Sequence, residues 1–387
     1  AEDALDAIEV QYKPLPVAVD PDLAMREDAP LLYPACQSNV VHDREFCYGD
    51  PKAAFAKAPR KVSIEVEYPR ILCAPMEGYV VTADYNQAED SYDVMANFQG
   101  PFSVLTVVPR ALRVPANRFR LRTPPSSGGS FGSKLAIFPY MVLISLASKR
   151  AGRPVKWVED RMEHLAASGS GPWRRTLIEA AVSEQGEILG LQCDHIEEYG
   201  AVLRAPMPGP LYRMHGVTTG AYAIRNLAIR NRIVLTNKVP VSLVRGFGGP
   251  QIYLALERLV QRIGIELGID QLEVMRRNLI PPQAFPYQTA AGALLDSGDY
   301  PAALDKLVTE GRLDDLKRHR DAMRAQGKLY GIGLACVVEP GVSNMGYLST
   351  LLPLEVRRKS GPKDGAIATA TVAVDGSGMV TVVSDST

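Results

Sequence analysis

Residues 127–134 read Ser127-Gly128-Gly129-Ser130-Phe131-Gly132-Ser133-Lys134 and lie between a predicted strand and a predicted helix over Lys134–Lys149. Glycines in such a loop let the backbone turn sharply and approach a ligand closely. The free N–H groups at a helix start attract oxyanions, phosphates and metal-oxo groups. The loop fits neither the P-loop pattern, because Ser133 separates Gly132 from Lys134, nor the dinucleotide fingerprint. Taken alone, it is best interpreted as a plain glycine-rich turn.

A second glycine loop repeats this arrangement further along the chain. It reads Arg245-Gly246-Phe247-Gly248-Gly249-Pro250 and follows a predicted strand over Ala228–Thr236. An amphipathic helix comes after it, with an apolar stripe of Leu256, Leu259, Val260, Ile263 and Leu267. An arginine and a phenylalanine between glycines suggest a planar or anionic ligand, and an exposed connector is the alternative. A third candidate, Gln99, follows a predicted strand over Ser91–Phe98, where a simple strand-end polar residue is the better single interpretation.

Strand and helix patterns mix along the chain without the regularity of βαβ units, so the predicted fold class is α+β. The helix over Lys134–Lys149 is apolar all round, which predicts deep burial. We further predict a strand over Glu9–Lys13, an irregular connector over 21–60, a strand over Leu329–Val338, and a closing hairpin of Ile367–Val374 with Met379–Ser384.

Composition argues against several classes of partner and site. Lys+Arg and Asp+Glu number 43 each, and a balanced surface gives no electrostatic basis for binding nucleic acid or an anionic membrane. No apolar run approaches the ~20 residues that a membrane-spanning helix needs. The five cysteines and five histidines are scattered, without the spacing of a zinc, iron–sulfur or H-x-x-x-H site. No metal held by side chains is therefore expected.

The two ends of the sequence give predictions about the location of the protein and about its subunit boundaries. The sequence begins at Ala1 without a signal segment, which predicts a cytoplasmic location. It stops directly after the closing hairpin, and a hairpin alone is marginally stable. We expect both ends to be cuts or subunit boundaries.

Together, the three loops resemble the xanthine dehydrogenase/aldehyde oxidase/carbon monoxide dehydrogenase family, specifically its molybdenum-binding large subunit. Ala74-Pro75-Met76-Glu77 and Pro154-Val155-Lys156-Trp157 are similar to further stretches of that family. The resemblance implies the end of an α/β hammerhead domain over 1–20 and a connector over 21–60. It also implies a first molybdopterin-binding domain over 61–285, and a linker with the start of a second such domain over 286–387.

The resemblance implies roles for individual residues. Gln99 matches the glutamine that hydrogen-bonds an oxygen-type ligand of molybdenum. The loop that holds the apical side of the metal through its backbone amides is matched by Gly129, Ser130, Phe131 and Gly132. Arg245 and Gly246 match the loop that contacts the pterin–molybdenum unit. The substrate-contacting positions are matched by Leu135, Phe247 and, with an ordinary surface arginine as the alternative, Arg213.

The implied activity is hydroxylation of an aldehyde or N-heterocycle with oxygen from water, on molybdopterin expected in its cytosine dinucleotide form. The family's general base is a glutamate, and the matching position is expected beyond residue 387, so this chain alone should be inactive. Electrons leave the family's active site through 2Fe-2S clusters and usually FAD. The implied partners are an iron–sulfur subunit, an FAD subunit, and the missing C-terminal half or a complementary subunit.

Two departures from the family pattern reduce the range of expected substrates. Leu135 stands where purine hydroxylases carry a glutamate, and the Arg245 loop contains no cysteine. Neither xanthine nor a copper-dependent oxidation of carbon monoxide is therefore expected. Two alternatives stay open: a non-catalytic or degenerate assembly subunit or fragment of the same fold, and a simple nucleotide-binding protein built on the glycine loops.

Overall fold

In the computed structural model, residues 2–100, 104–105, 107–204, 207–340, 346–352, 355–356 and 370–384 are described. Helices and strands are mixed along this part of the chain, which confirms the α+β class. The strands are β1 (Val40–Tyr48), β2 (Arg60–Tyr68), β3 (Val80–Asn86), β4 (Ser91–Ala96), β5 (Phe119–Arg122), β6 (Val155–Val158), β7 (Trp173–Val182), β8 (Ile188–Glu198), β9 (Leu227–Val234), β10 (Tyr287–Gln288), β11 (Leu294–Leu295), β12 (Ala370–Val374) and β13 (Val380–Ser384). The helices are α1 (Glu2–Asp6), α2 (Pro21–Ala24), α3 (Pro51–Lys57), α4 (Val107–Leu112), α5 (Phe138–Ala151), α6 (Arg161–Ala167), α7 (Gly209–Arg213), α8 (Gly249–Leu267), α9 (Gln271–Asn278), α10 (Tyr300–Glu310) and α11 (Leu313–Ala325).

The larger sheet has the strand order β1-β9-β8-β7-β2. Its neighbouring strands are antiparallel except β8 and β9, which are parallel. Helix α8 packs on β2 and β7. The stripe predicted from the sequence faces this sheet, because Leu256, Leu259, Val260 and Ile263 are fully buried. The interface between α8 and the sheet forms the main hydrophobic core.

The smaller sheet has the strand order β5-β4-β3-β6 and is covered by α5. Val81, Val94 and Met141 are fully buried between the helix and the sheet. The predicted deep burial of the whole helix is wrong, because Leu143 and Leu146 remain 59% and 45% exposed. A single sheet can cover only one side of a helix, so apolar residues on the other side stay outside this core.

Two predictions of local structure near the N-terminus are also wrong. Residues Glu9–Lys13 form no strand, and within the predicted irregular connector β1 pairs with β9 and is followed by α3. The run Asp43-Arg44-Glu45 hides β1 in the sequence, since three charged residues interrupt the apolar alternation of a strand. In this edge strand Asp43 and Glu45 are exposed on one face, and the half-buried Arg44 on the other face donates to the carbonyl oxygen of Thr350. The domain boundaries themselves stay a prediction.

The chain after α9 matches the predictions only in part. The closing hairpin is confirmed as β12 and β13, although residues 367–369 lie outside the described part of the chain. The segment Leu329–Val338 forms no strand, yet its alternating residues Ile332, Leu334, Cys336 and Val338 pack against the main core. Helix α11 was not predicted. Among the described helices, none is both long and apolar enough to span a membrane.

The orientation of α8 can be tested with two leucines two positions apart. We expect Leu256→Ala to lower the free energy of unfolding by about 2–5 kcal/mol, because it leaves a cavity in the main core. Leu254, which is 37% exposed, is the matched control, and Leu254→Ala should cost less than about 1 kcal/mol. Urea unfolding followed by circular dichroism measures both losses. Equal losses would contradict the assigned orientation.

Candidate functional site

The two glycine loops meet where the helices that cover the two sheets begin. The backbone N–H of Arg245 donates to the carbonyl oxygen of Phe131 over 2.7 Å. Gly132 has a φ of 100°, and a Cβ at this position would lie 2.5 Å from the carbonyl oxygen of Leu243. The close approach of the two backbones therefore requires glycine at position 132.

Gln99 reaches the same place from the end of β4. Beside it, the buried Asn97 accepts from the N–H of Val80 and donates to the carbonyl oxygen of Gly78, with both distances 2.8 Å. These bonds hold the strand end against the start of β3. The exposed Gln99 then accepts a hydrogen bond from the Ser130 hydroxyl at 2.6 Å. Three segments that are distant in the sequence are thus joined by hydrogen bonds.

A cavity of about 400 Å³ opens between these segments. Its lining contains all seven residues predicted to bind a cofactor, together with the predicted substrate contact Phe247: Gln99, Gly129, Ser130, Phe131, Gly132, Arg245, Gly246, Phe247, Leu243 and Val244. Phe131 is 52% exposed, and Gln99 and Arg245 are exposed as well. The described residues therefore form one open wall. The structure brings the three loops together at one cavity wall, and the roles of the residues stay predictions.

The other two predicted substrate contacts lie outside this lining. Leu135 is half-buried in the 3-10 turn Ser133–Ile137. Arg213 pairs with Glu339 at 2.5 Å, and its guanidinium lies 4.7 Å from the ring centre of Phe247. It lines a second, larger cavity of about 790 Å³. Arg213 therefore contacts the back of Phe247, and this ion pair was not predicted from the sequence.

The first loop rests on an ion pair between a buried lysine and a half-exposed glutamate, which was not predicted from the sequence. The ammonium of Lys134, only 1% exposed, lies 2.7 Å from Glu77 Oε2. The same oxygen accepts from the N–H of Gly128 at 2.8 Å. The hydrogen bond from Lys134 lowers the pKa of Glu77 to about 2. A lysine is almost never fully buried unless it is paired, and no local pattern marks which lysine this will be.

The chemistry of the donor set fits an oxygen-rich anionic group. Among the described residues, the backbone N–H groups of Gly129, Ser130 and Phe131 find no protein acceptor. Successive N–H groups in such a turn form an anion-binding concavity, and Arg245 is the only charged side chain among the ten lining residues. In the described part of the chain, no group of three His, Cys, Asp or Glu side chains could hold a metal ion.

Comparison with known proteins points to one family. Residues 32–279 match the family described as "Molybdopterin cofactor-binding domain". The chain is 32% identical over 359 residues to the carbon monoxide dehydrogenase large chain of Hydrogenophaga pseudoflava, covering 88% of this chain and 44% of that one. It is 30% identical over 387 residues to the nicotine 6-hydroxylase large subunit of Paenarthrobacter nicotinovorans, covering 99% and 46%.

A solved structure agrees with these sequence matches. Quinoline 2-oxidoreductase from Pseudomonas putida 86 superposes with a TM-score of 0.85 at 26% identity, covering 99% of this chain and 48% of that chain. The chain spans less than half the length of each of these relatives.

The Glu77–Lys134 pair generates a prediction about stability and pH. Glu77→Gln leaves the buried ammonium without its counter-charge, and we expect a loss of about 1–2 kcal/mol, discounted because Glu77 is 36% exposed. The pKa of Glu77 is lowered from 4.5 to about 2, so the stabilisation is complete above pH 4.5 and disappears as the pH falls through 2.

Unfolding measured between pH 3 and pH 7 tests this prediction. The difference between the parent chain and Glu77→Gln should be largest near neutral pH and should shrink below pH 4.5. Glu310→Gln is the matched control, because Glu310 pairs with Lys306 while both side chains are about 70% exposed; it should change stability by less than about 0.5 kcal/mol. A constant loss for Glu77→Gln across this range would contradict the assigned role.

Proposed function

The chain belongs to the molybdopterin cofactor-binding domain family, and on that premise we propose that it forms part of the molybdenum-binding large subunit of an oxidoreductase. The proposed reaction oxidises an aldehyde or an N-heterocycle with oxygen derived from water. The relatives' names, a large chain and a large subunit of oxidising enzymes, support this proposal. Because the chain spans less than half of their length, the activity belongs to the complete complex.

One observation carries the proposal: three distant segments converge on one cavity wall, where several backbone donors find no acceptor within the described part of the chain. The N–H groups of Gly129, Ser130 and Phe131 and the side chain of Arg245 are suited to an anionic, oxygen-bearing group. No cluster of protein ligands among the described residues competes for the metal. This combination suits a metal that is held by an organic cofactor.

When bound, the molybdenum cofactor would supply the redox chemistry that transfers water-derived oxygen to carbon. The protein would bind and orient the cofactor and the substrate. The backbone amides of the first loop and the amide of Gln99 would donate to the oxygen atoms of the cofactor, and Arg245 would balance its negative charge. Phe247 would pack against the substrate ring. The general base is expected on a glutamate outside residues 1–387.

The surroundings of Phe247 support a neutral substrate. Arg213 covers one side of the ring, and its charge is balanced by Glu339. The ring therefore offers its other side to a ligand, without a free cation from Arg213. Two relatives are named for nicotine and quinoline, which favours an N-heterocycle over an aldehyde. Carbon monoxide is not proposed, because residues 242–250 contain no cysteine.

The complete assembly would contain further cofactors and subunits. We propose molybdopterin in its cytosine dinucleotide form, with 2Fe-2S clusters and FAD on partner subunits or domains. A further domain or a complementary subunit would close the open cavity wall, since the relatives are more than twice as long as this chain. A cytoplasmic location stays a prediction of the sequence. The alternative is a non-catalytic assembly subunit or fragment, which would keep the fold without the cofactor.

Metal analysis of the intact complex that contains this chain tests the proposal. We expect about one molybdenum and one pterin per chain, and oxidation of quinoline, nicotine or an aromatic aldehyde with an artificial electron acceptor. A complete complex without molybdenum would overturn the proposed function and favour the assembly subunit.

The role of the first loop has its own test. Gly132→Ala places a methyl group against the carbonyl of Leu243 and should lower the molybdenum content about tenfold, as loss of a supporting contact does in other metal sites. Gly152→Ala is the matched control, because Gly152 also has a positive φ, 63°, but no atom within 4 Å of the added carbon. Thermal melting compares the stability of the variants. An unchanged molybdenum content in Gly132→Ala would contradict this role.

A further inference from the structure

The hydroxyl of Ser130 lies at the centre of a small hydrogen-bond network. It lies 3.2 Å from the backbone nitrogen of Gly132, 3.2 Å from that of Lys134 and 2.6 Å from Oε1 of Gln99. Two of these three neighbours belong to the turn that opens the helix, and the third is the glutamine at the cavity wall. Ser130 therefore connects the backbone of the loop to the side chain of Gln99.

The direction of each hydrogen bond follows from the chemistry of the groups. A hydroxyl has one hydrogen to donate and two lone pairs to accept. The backbone N–H groups of Gly132 and Lys134 can only donate, so they occupy the two lone pairs of Ser130. The hydroxyl hydrogen is left for Gln99, whose carbonyl oxygen must accept it. The NH2 group of Gln99 then remains as the donor for a ligand.

We propose that Ser130 is a positioning residue that fixes the amide of Gln99 with its NH2 group available to the bound cofactor. This inference rests on the proposed function. Gln99 is exposed, and a free glutamine side chain samples many rotamers, so holding it in one of them costs conformational entropy. Its amide can also present either oxygen or nitrogen. The bond from Ser130 removes the wrong orientation before a ligand arrives.

The backbone conformation of Ser130 allows substitutions at this position without added strain. The loop residues with positive φ are Gly129, Phe131 and Gly132, and Ser130 is not among them. Alanine or threonine at position 130 therefore introduces no left-handed strain. Ser130→Ala removes the hydroxyl, and Ser130→Thr keeps it. Gln99→Glu keeps an acceptor for Ser130 and removes the NH2 donor.

The experiment uses the intact complex in a double-mutant cycle of Ser130→Ala and Gln99→Ala. We expect Ser130→Ala to lower kcat for quinoline about 10- to 100-fold, with KM changed less than about threefold, and Ser130→Thr to restore it. Gln99→Glu should lose at least as much as Ser130→Ala. Because Ser130 acts through Gln99, adding Ser130→Ala to Gln99→Ala should cost nothing more.

A second measurement does not depend on turnover. The electron paramagnetic resonance spectrum of molybdenum in the dithionite-reduced complex should change in the same way for Ser130→Ala and Gln99→Ala, and Ser130→Thr should match the parent. Equal losses from Ser130→Ala in both backgrounds, or an unchanged spectrum, would overturn the positioning role. A parent complex without molybdenum would instead overturn the proposed function, so the two failures are distinguishable.

Discussion

The hydrogen bond from the N–H of Arg245 to the carbonyl oxygen of Phe131 joins the two halves of this structure. Each partner lies in the loop that precedes the helix covering its own sheet, α5 on the four-stranded sheet and α8 on the five-stranded sheet. The bond therefore sets how close the two layered units come at the site. Because the cavity lies between these loops, its shape depends on this contact and on the glycine at position 132, which alone permits it.

Charge is distributed so that the cavity wall stays rich in donors. The carboxylate of Glu77 is occupied by Lys134 and the N–H of Gly128, below the loop. The carboxylate of Glu339 is occupied by Arg213, behind Phe247. Neither carboxylate is among the ten described residues that line the cavity, and of these ten only Arg245 carries a charged side chain. The wall thus presents backbone N–H donors and the cation of Arg245 to an anionic ligand, while Lys134 and Arg213 nearby are paired with carboxylates.

The site illustrates how a metal enzyme family can be recognised without metal ligands. Scattered cysteines and histidines argue against a metal held by side chains, and the described residues contain no such cluster. The positive indication comes from the resemblance of the three loops, taken together, to the family, and the N–H groups of the first loop are suited to an anionic organic cofactor. The sequence position of Gln99 alone indicates an ordinary strand-end residue. In the structure, its hydrogen bond with Ser130 connects it to the first loop.

The sequence by itself determined the apolar stripe of α8 and the two glycine loops, because apolar periodicity and glycine-rich turns are properties of short segments. The stripe of α8 and the turn at Gly129–Gly132 were predictable for this reason. Only the tertiary structure decided the exposure of Leu143, the pairing of β1 with β9, and the pairs Lys134–Glu77 and Arg213–Glu339. Each of these features depends on which distant segment lies opposite the residue. The packing between elements decides this, and no local pattern in the sequence encodes it.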